Sequence, residues 1–202
     1  MRYGKEHKAE TRKRILAAAA RLFRERGYDG VGVDAIMGEV GLTAGGFYAH
    51  FASKEALFAE AMGRALTEGR ALGAPKSEPR ASAGLRAGSP GEGDPLLSLI
   101  RGYLSRTHRD HPDEGCPLPV LSTDVARSGD ATRKSYEKQF LKYLAEVEAI
   151  LPEGDAPVQD RALALIAQCV GGLMLARAVK DEELSNQILK ACRNAATKIA
   201  EK

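Results

Sequence analysis

The stretch Val33-Asp-Ala-Ile-Met-Gly-Glu-Val40-Gly41-Leu-Thr43-Ala-Gly-Gly-Phe47-Tyr-Ala-His50 decides how the chain is read. It divides at Gly41. Residues 33–40 suit a short helix, Gly41 supplies a tight turn, and Thr43 stands where a hydroxyl can cap a second short helix running to about His50. Neither helix is long enough to persist alone in water. Both must therefore pack on helices before and after them, which makes a three- or four-helix domain. A helix–turn–helix unit of this kind points the first residues of its second helix at base edges in the major groove.

The flanks supply those partners. Ile15, Leu16, Ala19, Leu22 and Phe23 form one apolar stripe at helical spacing, and Gly27 sits where a left-handed residue ends a helix. Ser53 is placed to cap a longer helix that carries Leu57 and Ala61 on one face. Further on, helical stripes recur at Leu96–Leu104, Tyr136–Leu151, 162–179 and Leu184–Ile199. No segment alternates with period two, which excludes sheet-based enzyme folds. The expected architecture is all-α with about nine helices. Residues 73–95 interrupt it: 12 of these 23 are Gly, Pro or Ser, and Leu85 is the one large apolar side chain. Such a segment reads as a flexible loop.

The 202 residues are 44% hydrophobic and 28% charged, enough for a core without staples. Three scattered cysteines (Cys116, Cys169, Cys192) speak for a reducing compartment rather than a disulfide framework. The polar first segment lacks a secretory signal, and the apolar run 162–179 is shorter than the ~20 residues of a membrane span. A soluble, cytoplasmic protein without membrane contact is expected. The net charge is only +3, but residues 1–26 hold nine Lys/Arg against three acids, and the remainder sums to −3. A basic end on a mildly acidic body is an electrostatic footprint for phosphate.

The run Gly30–Leu57 strongly resembles the TetR/AcrR family of bacterial transcriptional regulators, and Thr11-Arg-Lys-Arg-Ile-Leu16 with Leu22-Phe23 and Gly27-Tyr28 resembles that family's first helix. The resemblance covers about the first quarter of the chain. It implies a helix–turn–helix DNA-binding domain over 1–72, including a connecting helix, and a helical ligand-binding and dimerisation domain over 73–202. By position it places Thr43, Ala44, Gly45 and Gly46 at the start of the recognition helix, where glycines let backbone approach DNA and free amides can meet phosphate. Tyr48, His50 and Lys54 correspond to sugar-phosphate contacts, while Phe47 and Phe51 pack inward. Position 44 is often basic or polar in relatives; Ala44 shifts base reading towards thymine methyl contact and DNA shape.

The same resemblance implies a homodimer on double-stranded operator DNA, a repressor released from a palindromic site by a small-molecule effector. Pairing is expected through the last two long helices, with Ala167, Gly171, Leu175, Leu184 and Ile188 at the interface; Ala167/Gly171 and Gly172/Ala176 are small-residue pairs that permit close helix approach. Pocket candidates for a small, mostly apolar effector are Leu97, Tyr103, Leu104, Cys116, Leu121, Tyr136, Phe140 and Met174. His108, His111 and Cys116 lack a fourth ligand and zinc spacing, so no metal and no cofactor are expected. Gly115–Val125 is similar to the segment around the reactive cysteine of an electrophile-sensing member of the family, in which a lysine assists the thiol. The similar position here is Arg177, which can lower a thiol pKa by its charge but cannot share the proton. Cys116 thus stands either as a small buried residue at a helix start or as the thiol of an electrophile-sensing repressor. No nucleophile–base cluster or phosphate loop supports an enzyme.

Overall fold

A computed structural model of the chain describes residues 2–67 and 94–201. Among them are nine α-helices, one 3-10 helix and no strand, as the periodicity predicts. In chain order these are α1 (Arg2–Arg26), α2 (Val33–Glu39), the 3-10 helix η1 (Ala44–Ala49), α3 (Lys54–Thr67), α4 (Pro95–Tyr103), α5 (Arg106–Asp110), α6 (Leu118–Arg127), α7 (Asp130–Glu148), α8 (Val158–Ala178) and α9 (Glu182–Glu201). The loop expected over 73–95 lies outside the described residues as far as 93; Asp94 and Pro95 open α4, where the Asp94 carboxylate accepts from the Leu96 amide at 2.9 Å.

The chain forms two compact units that interleave in sequence. The first joins the N-terminal helices to 112–141, and the second takes 94–111 and 142–201. In the first unit the stripe Ile15, Ala19, Leu22 and Phe23 of α1 is buried against Ile36 and Met37 of α2, Phe47 of η1, and Leu57, Phe58, Ala61 and Met62 of α3. Phe23 meets Phe58 edge-on, with centroids 5.2 Å apart. Gly27 ends α1 with φ +73°, and its amide donates to the Phe23 carbonyl at 2.8 Å. The Ser53 hydroxyl accepts from the Ala56 amide at 3.0 Å, capping α3 as expected.

Leu121 and Val125 of α6 complete this core. Full burial of each is worth about 1.5–3 kcal/mol, so α6 adds stability to the N-terminal module as well as covering it. Polar ties reinforce the attachment. Arg24 Nε donates to the Asp113 carbonyl at 2.8 Å, and the Tyr28 amide donates to Asp124 Oδ2 at 2.8 Å. Glu55 accepts from the Gly129 amide and the Thr132 hydroxyl at the start of α7.

The second unit is built on an αα-hairpin of α8 and α9 joined by residues 179–181. Ala162, Leu165, Ile166, Cys169, Leu173 and Ala176 of α8 are buried, as are Leu189, Ala196 and Ala200 of α9. A Cβ at Gly172 would stand 2.7 Å from the Cβ and Sγ of Cys192, so only glycine allows this approach. Buried Arg161 donates to the Ala200 carbonyl at 3.1 Å and to the Pro152 carbonyl at 2.6 Å, placing a cation on the last carbonyls of α9. α8 starts at Val158, earlier than the apolar run suggests. At 21 residues, with a mean hydropathy of 1.3 in its most apolar window, it is long and apolar enough to cross a membrane by length and composition. Its buried face packs within the unit, as expected of a core helix.

Candidate nucleic-acid interface

The turn between α2 and η1 is made as the sequence predicts, with Gly41 at φ +73°. The second element departs from expectation. Residues 44–49 form a 3-10 helix, closed by the Gly46 amide on the Thr43 carbonyl at 3.0 Å. Thr43 is extended (φ −83°, ψ 151°), and its side chain makes no cap bond. The physical reason is local: Gly45 and Gly46 are poor α-helix residues, and six residues suffice in the tighter pitch. Fully buried Phe47 then pins the element to the core, stacked at 5.9 Å on buried Phe51. With the phenyl rings turned inward, the neighbouring Tyr48 is turned out and is 72% exposed.

The other residues expected at DNA lie around this aromatic. Thr43 and Gly45 are exposed, and Ala44, Gly46, His50 and Lys54 are half-buried. Thr43, Gly46 and His50 line a surface groove with Leu42, Ala49 and three residues of α1, His7, Lys8 and Thr11. None of the three is a DNA-contact candidate in the sequence, where the excess of basic residues near the start includes Lys8, and Thr11 enters only through the run that resembles the family's first helix. Burial lowers the His50 pKa first, and the charges of Lys8 and Arg12 lower it further, so the imidazole is neutral near pH 7. Lys54 Nζ sits 4.1 Å from the centroid of the Tyr28 ring.

The basic count of α1 is not all available to phosphate. Arg12 forks onto Glu60, with its Nη2 donating to Oε2 at 2.6 Å, and lies 4.4 Å above the Phe51 ring. Arg14 donates to the Val40 carbonyl at 2.8 Å, Arg21 pairs with Glu39 at 2.5 Å, and Arg24 reaches the Asp113 carbonyl. Arg14 and Arg21 thus tie α1 to α2, Arg12 ties it to α3, and Arg24 ties it to the segment before α6.

The effector candidates fall into both units. Leu97, Tyr103, Leu104 and Met174 lie in the second, and Cys116, Leu121, Tyr136 and Phe140 in the first. Leu121 belongs to the core of the first unit. Tyr136 stacks on Phe140 at 5.9 Å, and its hydroxyl lies 3.3 Å from Ser122 Oγ. A small apolar cavity in the second unit is lined by Tyr103 with Leu96, Ile100, Tyr143, Val147 and Leu165 among others. Met174 is exposed. Cys116 is fully buried. Arg177 donates to the carbonyls of His108 at 2.5 Å and Arg109 at 3.1 Å, inside the second unit.

The two small-residue pairs of α8 part company. Gly172 and Ala176 are buried against the protein's own second unit, which removes them from any pairing surface. Ala167 is exposed and Gly171 half-buried with open space around its Cα. Leu163, Met174 and Leu175 are exposed on the same helix, with Leu175 at 59%, and Leu184 is exposed on α9 next to half-buried Ile188.

Comparison with known proteins agrees with this geometry. Residues 15–61 match the family described as "Bacterial regulatory proteins, tetR family". The HTH-type transcriptional regulator LmrA of Bacillus subtilis is 24% identical over 176 residues, covering 85% of this chain and 89% of LmrA. A TetR-family regulator from Cytophaga hutchinsonii shares the fold with a TM-score of 0.67 at 20% identity, over 97% of this chain and 98% of that one. The reduced form of Escherichia coli NemR does so with a TM-score of 0.67 at 21% identity, over 94% and 96%. The helix–turn–helix thus matches the tetR family by sequence, and along its length the chain has the fold of tetR-family regulators.

Proposed function

We infer that the protein is a cytoplasmic repressor that binds a palindromic operator as a homodimer and leaves it when a small, mostly apolar effector binds. The observation that carries this reading is the outward face of η1. Tyr48 is an aromatic side chain 72% exposed at the tip of a module whose other rings, Phe47 and Phe51, are buried. Its exposure contributes nothing to the fold, and its phenol suits a sugar-phosphate contact. Thr43, Ala44, Gly45, Gly46, His50 and Lys54 complete the contact set, with Lys8 of α1 as an added cation beside the groove.

Pairing is supported by the exposed apolar side chains of α8 and α9 around Ala167, Gly171, Leu175, Leu184 and Ile188, a face that water disfavours unless another copy covers it. A division of labour between residues 1–72 and 73–202 fits this scheme, with the effector held among the apolar residues of the C-terminal part. The effector must prefer the conformation that separates the two recognition elements wrongly for DNA.

Footprinting on DNA immediately upstream of the gene, with and without candidate apolar ligands, tests this directly. Protection of two inverted half-sites, one helical turn or a multiple apart, is the expected result. A lone protected half-site, or none, would overturn it.

A further inference from the structure

We propose that Tyr28, held in place by Asp124, is a positioning residue that seats Lys54 for its DNA phosphate. The proposal rests on the DNA-contact reading above and adds to it how the cation is prepared. Lys54 opens α3 and has four rotatable bonds, so a free side chain would have to be ordered on DNA at an entropic cost. The structure removes part of that freedom by placing Nζ 4.1 Å from the Tyr28 ring centroid. A π face attracts the ammonium without cancelling its charge. A carboxylate in the same place would have to be displaced by the incoming phosphate.

The acid next in sequence is kept out of that role. Glu55 follows Lys54 directly, yet its carboxylate accepts from the Gly129 amide at 3.1 Å and the Thr132 hydroxyl at 3.2 Å. The Tyr28 ring is itself fixed from two sides. Phe58 lies 4.9 Å and Phe23 6.0 Å from it, centroid to centroid. Its backbone leaves α1 through left-handed Gly27 and is anchored by its amide on Asp124 Oδ2 at 2.8 Å. Burial, aided by Glu55 and Asp29, raises the Tyr28 pKa and keeps the phenol neutral. A chain of contacts thus runs from α6 through Asp124 and Tyr28 to the cation at the start of α3.

The test uses operator DNA found by footprinting and measures affinity against salt for the wild type, Lys54→Ala, Tyr28→Leu, Tyr28→Phe and the double variant Y28L/K54A. Tyr28→Leu keeps apolar packing on Phe23 and Phe58 but has no π face. It is expected to weaken binding about two- to fivefold and to move the salt slope towards that of Lys54→Ala, which is lower than wild type by about one unit. Tyr28→Phe should restore both, and the double variant should equal Lys54→Ala. A merely structural Tyr28 would lower thermal stability while leaving the slope at the wild-type value. An unchanged slope in Tyr28→Leu, or additive losses in the double variant, would overturn the proposal. A wild type without a salt-dependent operator complex would instead sink the DNA-contact reading itself. NMR of the unmodified protein gives a second measurement should Tyr28→Leu not fold. The Lys54 ε-methylene protons should be shifted upfield by the ring, and random-coil values would refute the seat.

Discussion

Single residues of this protein divide by what holds them. Lys54 is half-buried and has no carboxylate partner among the described residues, so its removal should act on DNA and not on folding. Lys54→Ala is expected to weaken binding to all DNA alike and to flatten the salt slope by about one unit, read from affinity at several salt concentrations. His108 is the opposite kind of residue. It is buried in α5, its Nδ1 lies 2.8 Å from the Tyr103 carbonyl, and its pKa is lowered to about 4, chiefly by burial and also by Arg177, against the raising effect of that hydrogen bond. The unfolded chain titrates this group near 6.5, so between that value and about 4 the unfolded state binds more protons. Stability is therefore complete above pH 6.5 and falls as the pH drops towards 4. Denaturant titrations at pH 7 and pH 5 should differ by roughly 2 kcal/mol on account of this residue. His108→Gln should remove that part of the difference.

At the scale of an element, α8 carries two glycines side by side with opposite surroundings. A methyl at Gly172 meets Cys192 at 2.7 Å, while one at Gly171 meets nothing within 4 Å. Gly172→Ala should destabilise the fold by about 1–3 kcal/mol through overpacking against α9. Gly171→Ala should leave the subunit intact or stabilise it by up to about 1 kcal/mol through helix propensity. Paired thermal or denaturant melts would decide between these outcomes. Loss of dimerisation in Gly171→Ala without loss of folding would further support the proposed interface. The recognition element shows a related contrast. η1 has almost no intrinsic helical stability, with two glycines in six residues, and it keeps its place because Phe47 and Phe51 are buried beneath it.

For the whole molecule the questions are who covers the apolar face of α8 and α9, and whether a thiol is in reach. Leu175→Glu together with Leu184→Glu should yield a folded monomer by sedimentation, with operator affinity falling because the two half-sites are no longer read together. Persistence of the dimer would locate pairing elsewhere. Brief N-ethylmaleimide treatment of the native protein, followed by intact-mass analysis and peptide mapping, should label half-buried Cys192 first and spare buried Cys116 and Cys169. An adduct appearing first at Cys116 would favour the electrophile-sensing reading over a structural cysteine.

What the residues determined by themselves was local. The all-helical class follows from period-3.6 stripes, the ends of α1 and α2 from Gly27 and Gly41, and the cap of α3 from Ser53. These features depend on neighbours a few positions away, so they are written in short windows. Tertiary structure alone decided which stripe meets which. It placed α6 and the start of α7 on the helix–turn–helix through Leu121, Val125, Asp124 and Thr132, turned four arginines of α1 into braces, set His7, Lys8 and Thr11 beside Thr43, and sent Gly172 inward while leaving Gly171 outside. An apolar stripe states that a face must be covered, but hydrophobic burial has no direction. The partner is selected by shape and by hydrogen bonds between residues as far apart as Tyr28 and Asp124, which no local window contains.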